Sequence, residues 1–332
     1  MPAPVIPAEW SPHRALWLGF PSHGELWEEN LEPARDEVAD LARALAGPGE
    51  ERVRLMVCGD AAEADARARL DGVPGVEFVR ALFGDIWLRD TGPIFRADGQ
   101  ARGFRFNGWG GKYQLEGDDQ VAAQIAAAAG APLAVSDFVL EGGALDHDGL
   151  GTVLTTTQCL LNPNRNPGWT RETAEAALTE ALGARKLLWL GDGLANDHTD
   201  GHVDNLARFV APGVVACPVA WGRADPNADL YDETARLLAA MTDARGGPLQ
   251  VMRIPSPGWV RGEDGPAPAS HMNFIIANRA VIVPLYDDAT AGALAVDAVQ
   301  SLFPERKAIG LPSRAILSGG GSFHCITQQE PA

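Results

Sequence analysis

One order of local structures recurs along the chain and restricts its fold more than any other feature. An extended segment is followed by a turn, a second strand, a helix and a third strand. The copy that begins at 138–141 turns at Asp148-Gly149, returns over 152–155, and has a helix from Thr170 to Gly183. Threonine caps helix starts, glycine ends helices, and Asp-Gly favours a tight hairpin. The pattern therefore predicts ββαβ modules.

Five such modules can be traced, and the first lacks its hairpin partner. Segment 322–327, near the C-terminus, is a spare strand that could supply this partner. Closing the chain into a ring would remove exposed sheet edges. We therefore predict a single α/β domain over residues 1–332, with five modules arranged radially and their leading strands converging on the axis. A doubly wound parallel sheet is the alternative.

The cysteines and the chain termini bear on location. Cys58, Cys159, Cys217 and Cys325 are far apart and form no C-x-x-C pair, which is typical of free thiols in a reducing compartment. The N-terminus has no signal-peptide pattern, and no apolar run reaches the roughly 18 residues of a membrane helix. We expect a cytoplasmic protein that does not enter membranes. The sequence leaves a homo-oligomer open.

The net charge of −17 restricts the partners. Such a surface repels nucleic acid and attracts small cations over long distances. An acidic surface that serves solubility alone is the alternative.

Unexpected polar residues occupy equivalent places in the modules. Asp90 and Glu141 end the predicted leading strands of the second and third modules, and His202 and Asp204 lie on that of the fourth. Cys325 lies on the predicted closing strand. A radial arrangement would bring these five residues to one central pocket.

The spacing of the acids and the histidine suggests their partners. His202 and Asp204 are two apart, so both would face one side of a strand, where they suit proton transfer and cation binding. Glu141 ends an apolar run and is costly to bury alone. We expect it to pair with His202, to orient the imidazole and to favour its charged form.

Aromatic residues and glycines surround these groups in the sequence. Trp87 and Trp109 either line the substrate channel or pack in the core. Gly320 is the middle of three glycines before His324-Cys325, where the chain could pass close to a ligand. The sequence assigns no role to Cys159.

Two carboxylates that face one pocket repel each other unless a cation lies between them. A guanidinium fits, because its planar N–H donors can bond two acids at once. We expect Asp90 and Asp204 to hold it, Cys325 to attack its central carbon, and His202 to protonate the departing ammonia and later activate a water. The thiol would then depend on the cation of the substrate for its activation.

Several motifs together resemble the agmatine deiminase family of the guanidino-group-modifying superfamily, in its Porphyromonas-type peptidyl-arginine deiminase branch. The resemblance covers nearly the whole chain and rests on Trp87–Pro93, Phe106–Gly111, Glu141–Gly143, Leu161–Pro167, Thr199–Asp204 and Gly319–Gln329.

Membership implies a five-bladed pseudo-symmetric α/β propeller (pentein fold) around a central channel. It implies hydrolysis of agmatine to N-carbamoylputrescine and ammonia without a cofactor or metal. It gives Cys325 the role of nucleophile, His202 that of acid and base, Glu141 that of orienting partner, and Asp90 and Asp204 that of guanidinium binding.

The substrate's other end is less defined by the motifs. Asp197, Thr199 and His271 are candidates for its recognition, and His271 and Ser322-Phe323 depart from the family pattern. Free or peptidyl arginine is an alternative substrate, although no cation for its α-carboxylate is evident.

Two other functions stay open at this point. A metal-dependent amidohydrolase would use His198 and His202, spaced as His-x-x-x-His, with the acids around them. A non-catalytic binder of guanidines or polyamines would use the paired acids and the negative charge.

Overall fold

The fold is known from a computed structural model that describes residues 6–332. In chain order, the strands are β1 His13–Gly19, β2 Val53–Val57, β3 Val76–Arg80, β4 Ile94–Phe95, β5 Ala101–Arg105, β6 Leu133–Val139, β7 Asp146–His147, β8 Thr152–Thr156, β9 Lys186–Leu190, β10 Arg208–Ala211, β11 Val214–Val219, β12 Gln250–Pro255, β13 Ile275–Ile276, β14 Ala280–Leu285, β15 Lys307–Pro312 and β16 Thr327–Pro331.

The α-helices are α1 Gly24–Trp27, α2 Leu31–Ala46, α3 Asp60–Leu70, α4 Leu88–Thr91, α5 Gly108–Gly111, α6 Val121–Ala129, α7 Thr157–Leu160, α8 Arg171–Leu182, α9 Ala228–Ala239, α10 Ala289–Leu302 and α11 Arg314–Ser318. Short 3₁₀ turns cover Glu28–Asn30, Asp118–Gln120, Gly142–Ala144 and Val203–Asn205. Within residues 6–332, no helix combines the length and apolar character needed to cross a bilayer.

The strands form five separate sheets, which excludes the single doubly wound sheet. Four sheets have three strands each, in the orders β4-β5-β6, β7-β8-β9, β10-β11-β12 and β13-β14-β15. In each of them the first pair is antiparallel and the second pair parallel, with a helix in the parallel crossover. The predicted ββαβ modules are confirmed.

The first sheet contains the predicted closure of the chain. Its order is β16-β1-β2-β3, and the C-terminal strand pairs antiparallel with β1, with Trp17 opposite Gln328. The missing hairpin partner of the first module therefore comes from the other end of the sequence. Strand β3 adds a fourth strand to this sheet by pairing with β2, and helix α3 connects the two strands. Neither element was predicted.

Capping residues account for both ends of helix α8. Thr170 forms a capping box with Thr173, and Gly183 ends α8 with a φ of 70°. Asp118, which precedes α6, accepts hydrogen bonds from the backbone N–H groups of Gly84 and Asp85, at 2.8 and 3.1 Å. Its carboxylate fixes the loop before α4, and a 3₁₀ turn leads into α6.

The predicted positions of the leading strands were wrong in a consistent way. Asp90 lies in α4, Glu141 and His202 each directly precede a 3₁₀ turn, and Asp204 lies inside the second of these turns. Cys325 lies in a turn just before β16, not on a strand. The chain is crowded at these turns: a Cβ on Gly142 would lie 2.2 Å from the carbonyl oxygen of Arg89.

Candidate active site

The turns before the first strands of the modules bring the polar residues together. Asp90 precedes β4, Asp204 precedes β10, Asn273 precedes β13 and Cys325 precedes β16. All four side chains are buried. Equivalent turns thus supply one centre with residues that are distant in the sequence, as the repeat predicts, although the turns and not the strands carry them.

Cys325 is held between an amide and a carboxylate. Asn273 Nδ2 donates a hydrogen bond to Sγ of Cys325 at 3.2 Å, and Oδ2 of Asp204 lies 3.8 Å from the same sulfur. Burial raises the pKa of the Cys325 thiol well above its ordinary range, and the charges of Asp204 and Asp90 raise it further. The resting thiol is therefore protonated and needs a cation to become a nucleophile.

Asn273 is a site residue that the sequence interpretation missed. Its Oδ1 accepts hydrogen bonds from the backbone N–H groups of His324 and Cys325, at 2.8 and 3.3 Å. The amide therefore fixes both the backbone and the sulfur of the cysteine turn. The signal was present: Asn273 begins the fifth module, at the position where the other modules carry their polar residues.

His202 lies among carboxylates, but their oxygens are beyond hydrogen-bond distance from its ring nitrogens. Its Nδ1 is 3.7 Å from Oδ1 of Asp90, and its Nε2 is 3.9 Å from Oε2 of Glu141. Burial alone would lower the pKa of His202, but Asp90, Cys159 and Glu141 outweigh it and hold the pKa well above its ordinary value. The imidazole is thus stored as a proton donor, beside Glu141 as predicted.

Glu141 has a stronger partner than His202. Its Oε1 accepts a hydrogen bond from Nε of Arg165 at 2.8 Å, and both side chains are 1% exposed. Burial would raise the pKa of Glu141, but His202 and Arg165 hold it below its usual range. Arg165 also bonds Asp200 and the carbonyl oxygen of Thr199. It lies in the quoted motif 161–167, yet the sequence interpretation gave it no role.

Asp90 is fixed by two donors. Its Oδ1 accepts from the backbone N–H of Gly143 and its Oδ2 from Nε1 of Trp109, both at 2.9 Å. Trp109 therefore orients this carboxylate, and it adopts a φ of 52° in doing so. Burial, reinforced by Asp204, raises the pKa of Asp90.

Only one of the two carboxylate oxygens of Asp204 has a hydrogen-bond donor. Its Oδ2 accepts a hydrogen bond from Nδ1 of His324 at 2.7 Å, while Nε2 of His324 lies 3.1 Å from Oε2 of Glu9. The second oxygen, Oδ1, is buried without a hydrogen-bond partner among the described residues. Burial would raise the pKa of Asp204, but the bond to His324 outweighs it and lowers the pKa. Only Oδ1 of Asp204 is therefore left for a ligand, because His324 occupies Oδ2.

The glycine run packs beneath an aromatic ring. Trp87 stacks on Trp27 with ring centres 6.2 Å apart, and a Cβ on Gly321 would lie 2.5 Å from the ring of Trp87. Glycine is needed here for packing, in addition to any contact with ligand. Gly320 has a φ of 104°, and a Cβ there would lie 3.6 Å from Nδ1 of His198.

Asp197 and Thr199 brace the loop of His202. Oδ1 of Asp197 accepts hydrogen bonds from the N–H and the hydroxyl of Thr199, at 2.8 and 2.6 Å. The Thr199 oxygen accepts in turn from the backbone N–H of His202 at 3.1 Å. Oδ2 of Asp197 is buried and has no hydrogen-bond partner within the described chain.

His271 is a poor candidate for contact with a cationic substrate end. It is 2% exposed, bonds the carbonyl oxygen of Pro255 through Nδ1 at 2.8 Å, and stacks on Tyr286. Burial lowers the pKa of His271 to about 4, so the ring is neutral.

The histidine pair of the metal hypothesis is not assembled. Among residues 6–332, the one group of three potential metal ligands is Glu141, Cys159 and His202. His198 is exposed and stacks on Tyr113 instead. Cys159, which had no predicted role, lies beside the catalytic candidates.

Five α/β modules around a buried thiol, an imidazole and several carboxylates define the guanidino-group-modifying class of enzymes. The chain belongs to the Porphyromonas-type peptidyl-arginine deiminase family, whose model matches residues 5–331. This confirms the predicted family and the predicted hydrolase class.

Relatives agree over almost the full length. An agmatine deiminase of Ectopseudomonas mendocina is 39% identical, covering 98% of this chain and 95% of the relative. The structure of an agmatine deiminase of Enterococcus faecalis superposes with a TM-score of 0.91 at 33% identity, covering 98% of this chain and 95% of that one. DDAH from Pseudomonas aeruginosa shares the fold, with a TM-score of 0.55 at 11% identity over 96% of this chain and 99% of that one.

Proposed function

We propose that this protein hydrolyses agmatine to N-carbamoylputrescine and ammonia through a covalent intermediate on Cys325. The observation that carries the proposal is the cluster of buried acids around Cys325 and His202, in which one oxygen of Asp204 lacks a donor. A buried anion without a partner is costly, and a planar guanidinium supplies both charge and donors.

Binding of the cation would activate the thiol. Asp90 and Asp204 raise the pKa of Cys325 in the free protein, together with burial. A guanidinium between these acids cancels their repulsion and adds a positive charge next to the sulfur, so the thiol loses its proton to solvent as substrate enters. The nucleophile then forms only where there is a carbon to attack.

The chemistry follows from the placement of His202. The thiolate adds to the guanidinium carbon to form a tetrahedral adduct, and His202 gives its proton to the leaving nitrogen. Breaking of that C–N bond releases ammonia and leaves a thiouronium on Cys325. Neutral His202 then takes a proton from water, the hydroxide adds to the same carbon, and the C–S bond breaks to leave the ureido product. Glu141, anchored by Arg165, keeps the imidazole in place. This mechanism uses no cofactor.

The surroundings favour agmatine over arginine. Arginine carries an α-carboxylate that needs a cation, yet Lys112 and Arg165, which lie near Thr199 and His198, both bond Asp200. The partnerless oxygen of Asp197 instead suits an ammonium group. We propose that Asp197 and Thr199 form the amine end, and that Trp87 and Gly320 line the channel. A cytoplasmic location without nucleic-acid partners remains a prediction from composition.

The test compares kcat/KM for agmatine, arginine and a peptidyl arginine by ammonia release. We expect agmatine to be the best substrate, and Cys325→Ala to lower its turnover by about 10⁶-fold, the scale for removal of a covalent nucleophile. Cys58→Ala is the matched control, because Cys58 is a half-buried thiol of the first module. Full turnover by Cys325→Ala would refute the mechanism, and a preference for arginine would refute the substrate.

A further inference from the structure

Cys159 is fixed beside His202 by a threonine that bonds both segments. Oγ1 of Thr156 accepts a hydrogen bond from the backbone N–H of Cys159 at 3.3 Å and donates one to the carbonyl oxygen of Gly201 at 2.6 Å. Helix α7, which carries Cys159, is thereby tied to the residue before His202. The Cys159 side chain is 1% exposed, so its position next to the imidazole is defined by packing.

One ligand atom from each of Glu141, Cys159 and His202 lies within 4.8 Å of the other two. Arg165 holds Oε1 of Glu141, which leaves Oε2 facing Nε2 of His202 at 3.9 Å. Both nitrogens of His202 lack a hydrogen-bond partner within residues 6–332, although the residue is 1% exposed. Buried polar atoms are nearly always paired, so these nitrogens point to a ligand.

We propose that Glu141, Cys159 and His202 bind a Zn²⁺ ion that inhibits the enzyme. One carboxylate oxygen, one sulfur and one imidazole nitrogen are ligands that Zn²⁺ accepts, with water in the fourth tetrahedral position. Small side-chain movements bring atoms at these separations to Zn²⁺ ligand distances, which are about 2.0–2.3 Å. No other residues are needed.

The second imidazole nitrogen faces a carboxylate that lies slightly beyond hydrogen-bond distance. Nδ1 of His202 is 3.7 Å from Oδ1 of Asp90, whose position is fixed by Gly143 and Trp109. A carboxylate behind a ligating histidine orients the ring and strengthens the ligand. A Zn²⁺ ion at Nε2 would displace the proton from that nitrogen, while Asp90 keeps the ring oriented.

The charge of the centre attracts divalent cations. Asp90 and Asp204 add negative charge around the three ligands, and the route that admits a guanidinium would also admit a metal ion. Sulfur and nitrogen ligands select Zn²⁺ and Cu²⁺ over Mg²⁺ and Ca²⁺. A bound Zn²⁺ would occupy the nitrogen that must donate and accept protons, so the ion inhibits and has no catalytic role.

The experiment measures binding and inhibition separately on the full-length protein. Binding is followed with Co²⁺ as a spectroscopic substitute, through the thiolate-to-cobalt charge-transfer band in the near ultraviolet. Inhibition of agmatine hydrolysis by ZnCl₂ is followed by ammonia release, with MgCl₂ as the control ion. Cys159→Ser, Cys325→Ala and Cys58→Ser are compared with the unchanged protein.

We expect the cobalt band in the unchanged protein, in Cys58→Ser and in Cys325→Ala, and its loss in Cys159→Ser. Zinc should inhibit reversibly, with recovery on chelation. Its half-inhibitory concentration should rise in Cys159→Ser by at least the ~10- to 100-fold that loss of an outer-shell partner causes. Because Cys159→Ser could disturb folding, Glu141→Gln is the second ligand variant, and it too should lose the band.

Several results would overturn the site. These are absence of the band in the unchanged protein, a band that survives in Cys159→Ser or in Glu141→Gln, or a band lost only in Cys325→Ala, which would place the ion on the nucleophile. The measurement of zinc inhibition rests on the proposed deiminase function, whereas the measurement of the cobalt absorption band does not. A cobalt band that depends on Cys159, without any agmatine hydrolysis, would therefore refute the function and leave the metal site standing.

Discussion

His202 and His324 are both buried at the same centre, but their surroundings differ. His324 is bound tightly, with its ring nitrogens 2.7 Å from Asp204 and 3.1 Å from Glu9. His202 is surrounded loosely, with its nearest carboxylate oxygens at 3.7 and 3.9 Å. The tight ring serves as a fixed part of the scaffold, whereas the loose ring can give up its proton and take up another.

The difference shows how one centre combines rigidity with reactivity. Tight hydrogen bonds to His324 fix Asp204, and through it the surroundings of the Cys325 sulfur. Loose contacts with Asp90 and Glu141 raise the pKa of His202 without holding the proton in one bond. We call the surroundings of His324, Asp204 and Cys325 the tight side, and those of His202, Asp90 and Glu141 the loose side. We expect substitutions on the two sides to affect different quantities.

Among substitutions of the groups around the two histidines, the largest effect is expected for His202→Asn. Loss of the proton donor and acceptor should lower kcat by about 10²- to 10⁴-fold, the usual contribution of general acid–base catalysis. KM should change much less, since Asp90 and Asp204 remain. Steady-state kinetics with agmatine provide the measurement. A variant that kept its kcat would show that another group transfers the protons.

His324→Ala should act chiefly on stability. The substitution removes the imidazole that donates to Oδ2 of Asp204, at a cost of about 1–3 kcal/mol for a buried acceptor left unpaired. Glu9 keeps Arg208 and the backbone N–H of Ile276 as donors. Urea unfolding should show a lower midpoint, and the residual activity should show a raised KM because Asp204 is no longer fixed. If His324→Ala matched His202→Asn in both quantities, the distinction between the two rings would be lost.

The pH dependence of Cys325 alkylation reports on the tight side. Because burial and the charges of Asp204 and Asp90 raise the thiol pKa, alkylation of the free protein should be slow at neutral pH. The rate should rise with pH, with a midpoint above the ordinary thiol value of about 8.5.

Asp204→Asn should move this midpoint to lower pH, since a negative charge beside the sulfur has been removed. Burial, the main cause of the shift, remains. Iodoacetamide rates followed by mass spectrometry of the Cys325 peptide provide the measurement. An unchanged midpoint would mean that Asp204 does not influence the sulfur.

The smallest effect is expected for Trp109→Phe, on the loose side. The variant loses the hydrogen bond from Nε1 to Asp90, which is worth about 1 kcal/mol, or roughly fivefold in KM for agmatine. Trp189→Phe is the control, because Trp189 donates a comparable bond to Glu175 away from the centre. Equal effects of the two variants would indicate a general packing defect.

The sequence predicted more of the chemistry than of the local geometry. The converging residues Asp90, Glu141, His202, Asp204 and Cys325 were identified because polar groups recurred at equivalent module positions. The strands assigned to them were wrong, since apolar alternation does not distinguish a strand from a short turn that enters a crowded centre. Asn273 was overlooked because an amide carries no charge to mark it.

By itself, the sequence determined the five modules, their hairpins and the long helix of each module. Caps, turn residues and alternation act over a few neighbouring residues, so they can be interpreted locally. Only the tertiary structure decided which buried groups pair. Arg165 binds Glu141, His324 binds Asp204 from 120 positions away, and Cys159 lies beside His202. Such pairings depend on which turns meet at the centre, and no local propensity encodes that.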